Sequence, residues 1–398
     1  MDNENGGEEA NQGIETILTH AGRTPSEQYG FVNPPIVRGS TVVFPTLGAL
    51  EGRMQDYVYG RRGNPTSASV QALVTELEGA AGTLLAPSGL SAITIAILSS
   101  VKAGDEILVT DSVYGPTRTF CDDTLQRMDV TTRYYDPGIG SGIAGMITEQ
   151  TKAIFVESPG SLTFEVQDLP AIAAARGERD IRIIVDNSWA TPLFYRPLML
   201  GADLVVHAGT KMFVGHSDAM FGTISANERA WKSLSVTHGQ LGICVAPEDA
   251  FLAARGIRTL AIRMKEHHSR ALELAAWLER QPGVESVLHP GLPSHPDHEV
   301  FKRDFAGAGS LFSVVLSPRP HAALAAFLDG MRLFSMGYSW GGYESLILPS
   351  DPKSVRTATS WNAAGPLVRI HVGFEDMGDL KSDLTDGLRR YLVSGETE

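Results

Sequence analysis

Apolar residues between positions 106 and 226 occur in short runs, and helical or mixed segments separate most of these runs. The six predicted strands are EILVTD at 106–111, TTRYYD at 131–136, AIFVES at 153–158, RIIVDN at 182–187, DLVVHAG at 203–209 and FGTISA at 221–226. Strands that alternate with helices favour a largely parallel sheet that carries helices on both faces. The middle of the chain is therefore expected to form an α/β domain.

The remaining pattern predicts an arm before this domain and a smaller domain after it. Residues 1–62 include FVNPPIVRGSTVVFPTL, which its prolines and glycines break into extended pieces. Helical spacing begins at TSASVQALVTELEGA, and the long helical stretch RTLAIRMKEHHSRALELAAWLERQP leaves the large domain. LFSVVLS and LVRIHVGF are typical of strands in a second α/β unit. We predict an N-terminal arm at 1–62, a large domain at 63–256 and a small domain at 257–398.

Composition excludes several classes of function. A net charge of −13 argues against nucleic acid and against an anionic membrane surface, since both need a basic face. The most apolar window, TLLAPSGLSAITIAILSSVKAGDE, is interrupted by proline, glycine and serine, and it reads as a core helix rather than a membrane span. The acidic start MDNENGGEEANQG does not resemble a signal peptide. Cys121 and Cys244 form neither a disulfide framework nor a zinc motif, and a reducing cytoplasm fits them.

Polar residues follow several of the predicted strands, where open α/β sheets bind their ligands. Glu157, Asp186 and Lys211 each stand at the end of an apolar run, and LLAPSGLSAI places a glycine turn at the start of a helix. The carboxyl ends of parallel strands share one edge of the sheet, so these residues are expected to line one pocket.

The chemistry of this set points to one cofactor. The helix start at Ser88-Gly89-Leu90 offers unpaired N–H groups that suit a phosphate. A buried Asp186 needs a cation such as a protonated pyridine nitrogen, and Lys211 can condense with an aldehyde. Lys211 by itself reads as a solvated surface lysine. A phosphate, a pyridinium and an aldehyde are the three functional groups of pyridoxal 5'-phosphate (PLP), which we predict as the cofactor.

Longer motifs carry a resemblance to a known family. YGRRGNPT, ELEGAAGTLLAPSGLSAI, VDNSWATPLF, HAGTKMFVGHSDAMFG and RIHVGFEDMGDL resemble the Cys/Met-metabolism family of PLP enzymes over nearly the whole chain. The resemblance implies a fold type I architecture, with a large mostly parallel domain, a smaller C-terminal α/β domain and an extended N-terminal arm. ESPGSLTFEVQDLPAI, RGIRTLAIRMKEHH, KRDFAGAGSLFS and FSMGYSWGGYESLI are most similar to the β-lyases of this family, which cleave cystathionine to homocysteine, pyruvate and ammonia.

The resemblance implies roles for the residues around the cofactor. Lys211 matches the Schiff-base lysine, which also takes the Cα proton, and Asp186 matches the partner of the pyridine nitrogen. Tyr114 matches a tyrosine that stacks on the cofactor, and it or Lys211 protonates the leaving thiolate. Gly89 and Leu90 match backbone amides that bind the phosphate.

Further phosphate contacts are implied from two places. Thr210 matches a phosphate-binding hydroxyl, but residue 208 is alanine where many relatives carry serine, which puts one contact in doubt. Tyr59 and Arg61 match a pair that the neighbouring subunit lends to the phosphate, for which the guanidinium fork is suited. A homo-oligomer follows from this match, and we expect a dimer of dimers. Without the family, YGRRGN reads as a solvated basic loop.

The resemblance also implies the substrate site. Arg369, in the alternating strand LVRIHVG, matches the arginine that binds the substrate α-carboxylate. Ser339 and Trp340 match residues beside that carboxylate in the β-lyases, whereas γ-acting relatives usually lack the tryptophan. Tyr59 of the neighbouring subunit is expected to face the substrate as well.

Other motifs carry no function in this interpretation. GSGIAG at 140–145, with Glu165 at a suitable distance, matches a dinucleotide motif but is expected to be a loop and helix start. The histidines of HPGLPSHPDH are predicted to lie in a surface loop without a metal. His267 and His268 are expected to be solvated. His216, Ser217 and Asp218 receive no individual roles and are expected to shape a subunit contact or brace the lysine loop.

Three alternatives to the cystathionine β-lyase activity remain open. The first two keep the cofactor: action at Cγ, as a synthase or γ-lyase, or β-cleavage of other cysteine S-conjugates. The third is a catalytically silent assembly protein of the same fold, against which the intact Lys211, Asp186, Tyr114 and Arg369 argue.

Overall fold

The computed structural model describes residues 12–394. The first 11 residues, with most of the acidic start and the beginning of the predicted arm, lie outside the described residues, as do the last four of the predicted small domain. The strands are β1 Gly82–Ala86, β2 Glu106–Thr110, β3 Thr131–Tyr135, β4 Thr151–Glu157, β5 Arg182–Asp186, β6 Leu204–His207, β7 Gly222–Ala226, β8 Val284–Leu288, β9 Leu311–Leu316, β10 Leu346–Ser350 and β11 Leu367–His371.

Helices connect most of these strands and cover the sheets. The α-helices are α1 Ile14–His20, α2 Leu47–Gly52, α3 Pro65–Glu78, α4 Gly89–Leu98, α5 Gly115–Thr119, α6 Leu169–Arg176, α7 Thr191–Phe194, α8 Glu228–Gln240, α9 Pro247–Ile257, α10 Leu260–Leu278, α11 His298–Asp304, α12 His321–Asp329 and α13 Met377–Val393. A π-helical turn at Phe120–Leu125 continues α5. No helix within residues 12–394 is long and apolar enough to cross a membrane.

Seven strands form the large sheet, in the order β1-β7-β6-β5-β4-β2-β3. The pairs from β6 through β5, β4 and β2 to β3 are parallel, whereas β7 runs antiparallel to both of its neighbours, β6 and β1. The predicted largely parallel sheet is confirmed. Alternate residues of one strand enter different cores, because successive side chains of a strand point to opposite faces. In β5, Ile184 packs with α4 and α8, while Ile183 and Val185 pack with α6.

The apolar window that begins at Thr83 was predicted to be one core helix, and this prediction was wrong for its first residues. Residues 82–86 form β1, which pairs with β7 across the edge of the sheet. Pro87 lacks the N–H that a helix interior needs. Ser88 instead caps α4, and its Oγ accepts the N–H of Ser91 at 3.1 Å. The apolar run therefore contains both a strand and a helix, and the turn between them faces the carboxyl edge of the sheet.

The C-terminal part of the chain forms a second sheet in the order β10-β11-β9-β8, with every pair antiparallel. Its apolar face packs on α10, α12 and α13 around Phe312, Phe327 and Tyr391. The strands predicted from LFSVVLS and LVRIHVGF are β9 and β11. The proposed bounds of the arm, the large domain and the small domain stay predictions.

Two predictions about histidines were wrong. His267 is buried, because α10 turns it toward the segment that follows β11, where its ring stacks on Phe374 with centroids 4.4 Å apart. His268 is half-buried and accepts the N–H of Ala308 at 3.0 Å. The loop of HPGLPSHPDH is present, but His289 and His295 are buried in it, and His298 begins α11 half-buried. Burial lowers the pKa of His267 and of His289 to about 3, so both are neutral packing residues.

GSGIAG forms a short 3-10 helix at Gly140–Gly145. A dinucleotide motif of this kind needs an α-helix that opens at its glycines and presents its N–H groups to a pyrophosphate. This turn belongs to the connection between β3 and β4. Its geometry agrees with the sequence interpretation, which assigned no function to GSGIAG.

Candidate active site

Asp186 closes β5 at the carboxyl edge of the large sheet. Its Oδ1 accepts two hydrogen bonds from Ser188, at 2.9 Å from the backbone N–H and at 2.6 Å from the hydroxyl. Ser188 Oγ also accepts the N–H of Ala208 at 2.6 Å, which ties the ends of β5 and β6 together. Burial raises the pKa of Asp186, and the two bonds from Ser188 oppose this shift. Sequence reasoning missed Ser188, although its position two residues after the aspartate was a usable signal.

Glu157 lies beside Asp186, because the two residues are in register on the parallel strands β4 and β5. Its Oε2 accepts the backbone N–H of Tyr114 at 2.7 Å. Burial, and then the nearby Asp186, raise the pKa of Glu157 well above its usual range. Two adjacent carboxyl groups cannot both ionise cheaply at short range. The edge of the sheet therefore holds one carboxyl group that favours its neutral form.

Lys211 begins the loop that follows β6, and its backbone N–H donates to Ala208 at 2.9 Å. Its Nζ donates to Ser339 Oγ at 2.7 Å and lies 5.6 Å from the centroid of the Trp340 ring. Burial, followed by the positive charge of Arg369, lowers the pKa of Lys211 to about 8, while Asp186 acts in the opposite direction. A lysine with such a pKa supplies a neutral amine near physiological pH, as a nucleophile or base must.

The small domain supplies the other side of this cleft. Arg369 stands in the middle of β11, and its Nη2 donates to the carbonyl of Ser339 at 3.5 Å. Burial lowers the pKa of Arg369. Tyr114 lies between the two domains, with 44% of its surface exposed. Burial and Glu157 raise the pKa of Tyr114, whereas Arg369 lowers it. Ser339, Trp340 and Arg369 are thus brought to the lysine as the sequence predicts.

The first turn of α4 lies against the end of β6 and is the part of the cleft that is suited to an anion. An added Cβ at Gly89 would lie 2.4 Å from the Cβ of Ala208, so only glycine allows this approach of the helix to the end of β6. The N–H groups of a first helical turn have no partner inside their own helix. Leu90 is 36% exposed in that turn.

Thr210 lies in the same region, but its hydroxyl is engaged. Thr210 Oγ1 donates to the carbonyl of Phe221 at 3.1 Å and accepts the N–H of Phe221 at 2.8 Å. A phosphate contact through this hydroxyl would require its proton to turn away from Phe221. Together with Ala208, this leaves the backbone amides of α4 as the donors with the clearest access.

Tyr59 and Arg61 are not brought to Lys211 of their own chain within residues 12–394. Arg61 Nη1 donates to the carbonyl of Gly239 at 3.1 Å, and Tyr59 is 49% exposed. The prediction that a neighbouring subunit receives them stays a prediction.

Arg263, which the sequence analysis missed, binds the lysine loop through its backbone carbonyl groups. Its guanidinium donates to the carbonyls of Met212 at 2.7 Å, Phe213 at 3.3 Å and Gly256 at 2.7 Å. Burial lowers the pKa of Arg263 to about 10. No sequence motif marks an arginine that binds the carbonyl groups of Met212 and Phe213, which lie 51 and 50 residues earlier in the chain.

The three residues after Gly215 differ in their surroundings. His216 Nδ1 lies 2.7 Å from the carbonyl of Val214, within the loop itself. Ser217 Oγ donates to Glu344 Oε1 at 2.6 Å. Asp218 is exposed. The lysine loop is therefore attached on one side to Arg263 and on the other to the segment that carries Ser339 and Trp340.

These groups fit PLP on three counts. The amine of Lys211 suits an aldehyde, and the glycine approach at α4 suits a phosphate. Asp186 has one carboxylate oxygen occupied by Ser188, and its Oδ2 has no hydrogen-bond donor among the described side chains and backbone. A buried carboxylate of this kind suits a pyridinium N–H.

The chain matches a protein family and curated relatives over most of its length. The model of the family described as Cys/Met metabolism PLP-dependent enzyme matches residues 15–389. The chain is 49% identical to a putative cystathionine beta-lyase of Rhizobium johnstonii, over 95% of this chain and 96% of that protein. It is 41% identical to the cystathionine beta-lyase MetC of Escherichia coli, over 96% and 100% of the two chains.

A solved structure has the same fold. The crystal structure of cystathionine gamma synthase from Xanthomonas oryzae pv. oryzae, in complex with aminoacrylate and cysteine, superposes with a TM-score of 0.89 at 32% identity, over 97% of this chain and 100% of that chain. The expected fold type I architecture is confirmed. The chain belongs to the Cys/Met metabolism family of PLP-dependent enzymes.

Proposed function

We propose that this protein is a carbon–sulfur β-lyase that cleaves cystathionine to homocysteine, pyruvate and ammonia. The observation that carries the proposal is the position of Trp340, whose ring lies 5.6 Å from the amine of Lys211 in a cleft that also holds Asp186. The names of the relatives from Rhizobium and Escherichia support the same activity.

Three groups would hold the cofactor. The first-turn amides at Gly89 and Leu90 would bind its phosphate, Asp186 would bind its pyridine nitrogen, and Tyr114 would contact its ring. Ser188 fixes the orientation of the Asp186 carboxylate through its two hydrogen bonds. PLP, when bound, withdraws electrons from the Cα of an amino-acid substrate and so makes the Cα proton removable.

The remaining residues bind the substrate and move protons. The Arg369 guanidinium pairs with the substrate α-carboxylate, next to Ser339 and Trp340. Lys211 Nζ, released from Ser339, takes the Cα proton. The electron pair of the former Cα–H bond then forms a Cα=Cβ bond while the Cβ–S bond breaks with its pair on sulfur, and Lys211 or Tyr114 protonates the thiolate. The aminoacrylate that remains tautomerises to an imine, which water hydrolyses to pyruvate and ammonia.

We also propose a shared site between two copies of the chain. Tyr59 and Arg61 of a neighbouring subunit would complete the phosphate site, and Tyr59 would face the substrate. The large exposed apolar residues of the arm support an assembly: Tyr29, Phe31, Val43, Leu47 and Met54. We propose a dimer of dimers in the cytoplasm.

Product analysis tests the proposed activity. Purified protein is incubated with cystathionine, cystine, methionine and S-alkyl cysteines, and the keto acid is identified. Pyruvate and homocysteine from cystathionine are expected. 2-Oxobutyrate from cystathionine would instead assign a γ-lyase, and pyruvate from S-alkyl cysteines alone would assign a cysteine-S-conjugate β-lyase. The absence of keto acid from every substrate, together with the absence of visible cofactor absorption, would support the silent assembly protein.

A further inference from the structure

Glu344 is a half-buried carboxylate that the proposed reaction does not use. Its Oε1 accepts the hydroxyl of Ser217 at 2.6 Å. Its Oε2 is buried and has no hydrogen-bond partner among the described residues. A buried carboxylate oxygen without a hydrogen bond is costly, so the packing around Glu344 must hold it in this position.

The contact joins two segments that both carry site residues. Ser217 lies six residues after Lys211 in the lysine loop, and Glu344 lies five residues after Ser339. Gly342 sits directly under the contact, since an added Cβ would lie 2.3 Å from Ser217 Oγ and 2.5 Å from Glu344 Oε2. The segment 339–344 and the lysine loop therefore meet at Ser217 and Glu344 as well as at Lys211.

A second approach of the two segments lies beside the lysine itself. An added Cβ at Gly341 would lie 3.0–3.1 Å from the backbone and Cβ of Lys211, so a side chain there would need the lysine loop to shift. Below the segment, His371 Nε2 lies 3.2 Å from both the N–H of Gly341 and the carbonyl of Gly342. The segment is held between β11 and the lysine loop.

The backbone of both segments is strained where they touch. Ser339 has φ +130°, and Ser217 has φ +57°. Residues other than glycine adopt such conformations at a cost, and they persist only where the surrounding contacts impose them. The hydrogen bond between Ser217 and Glu344 is one contact that links the two strained regions.

We propose that the Ser217–Glu344 hydrogen bond is a positioning contact, which holds Ser339 and Trp340 against the amine of Lys211 and beside Arg369. Neither residue touches the substrate. The expected change in KM rests on the proposed function, because only under that function do Ser339, Trp340 and Arg369 bind the substrate carboxylate. Its structural consequence, a fixed segment 339–344, does not depend on the reaction.

The test compares five single variants and one double variant of the full-length protein with its bound cofactor. Ser217→Ala and Ser217→Gly both remove the hydroxyl, and glycine also relieves the positive φ. Glu344→Ala removes the acceptor, whereas Glu344→Gln keeps an amide oxygen in its place. Ser294→Ala is the matched control, because Ser294 donates to the Glu279 carboxylate at a site outside both segments.

Two measurements are made on each variant: hydrogen exchange of the peptide covering 339–345 by mass spectrometry, and the separate values of kcat and KM for cystathionine. We expect both Ser217 variants and Glu344→Ala to speed exchange severalfold and to raise KM about tenfold, with kcat within about threefold of wild type. Glu344→Gln should recover most of the loss. Ser217→Ala combined with Glu344→Ala should be no worse than either alone.

Wild-type exchange and KM in both Ser217 variants would overturn the proposal, as would equal changes in Ser294→Ala or additive effects in the double variant. A wild-type protein that forms no pyruvate from cystathionine would overturn the proposed function alone, since the exchange measurement still decides whether the contact fixes segment 339–344.

Discussion

Glu157 and Asp186 lie opposite each other at the carboxyl ends of two neighbouring parallel strands, and the charge of Asp186 disfavours ionisation of Glu157. The pKa of Glu157 is raised by burial and by Asp186. Since the unfolded chain ionises Glu157 near its ordinary pKa of 4.5 while the folded chain keeps the proton, stability falls as the pH rises above that value. This relation makes a direct prediction.

Glu157→Gln should stabilise the cofactor-free chain, and the gain should grow as the pH rises from about 4.5 toward neutrality. At neutral pH we expect a gain on the order of 1 kcal/mol, the size that one pKa unit represents. The amide oxygen of glutamine still accepts the N–H of Tyr114. Denaturant unfolding at pH 4 and pH 7 measures the effect. A variant less stable than wild type at pH 7 would show that Glu157 is ionised in the folded chain.

The pKa of Lys211 gives a second prediction. In the cofactor-free chain, labelling of Lys211 by an amine reagent should follow a titration midpoint at about pH 8. Arg369→Gln should raise the midpoint, because it removes a positive charge that disfavours the ammonium form. Mass spectrometry of the labelled peptide across pH 6–11 measures both. A midpoint near the ordinary 10.5 of lysine would contradict the described burial of the amine.

These two predictions concern side chains that could be identified as site residues from the sequence alone. Asp186, Glu157 and Lys211 end apolar runs, and the parallel arrangement of strands brings such ends to one edge. Strand β1 was missed because its apolar run continues into α4, so periodicity alone did not separate the two. His267 was misassigned because charged neighbours on α10 hid the side of the helix that faces β11.

The contacts around the lysine loop could not be predicted from the sequence, for a different reason. Arg263 binds carbonyl groups, which every residue offers, so no residue type marks its targets. Ser217 and Glu344 are 127 positions apart, and only the tertiary packing of the lysine loop against segment 339–344 brings them together. Local patterns carry no information about such pairs.

The approach of α4 to the end of β6 yields a third prediction. Gly89→Ala should weaken PLP affinity by about tenfold or more, because the new methyl group meets Ala208 at 2.4 Å and displaces the first-turn amides. Gly145→Ala is the control, since nothing lies within 4 Å of its added Cβ. Absorbance titration of the cofactor-free variants with PLP measures the affinity. Equal PLP affinities in the two variants would show that the first turn of α4 does not bind the phosphate.

The shared site gives the fourth prediction. Lys211→Ala and Arg61→Ala homo-oligomers should each lose about 100-fold or more in activity. When the two variants are unfolded together and refolded, mixed dimers contain one site with both wild-type residues, and about a quarter of wild-type activity should return. Refolding each variant separately is the control. No recovery in mixtures that contain mixed dimers would place Arg61 in the site of its own chain, or outside the site.

Strand β7 has a consequence for the order in which the protein folds. It lies between β1 and β6, and its Gly222 leaves no space for a Cβ against the carbonyl of Ser88. The turn that carries Gly89 and the loop that carries Lys211 are therefore joined through a strand that is synthesised after both. A nascent chain emerges with its N-terminal segments first, and pairings of such long sequence separation form slowly. The ability to bind PLP should thus appear in one late step, after residue 226 has left the ribosome, rather than grow with chain length.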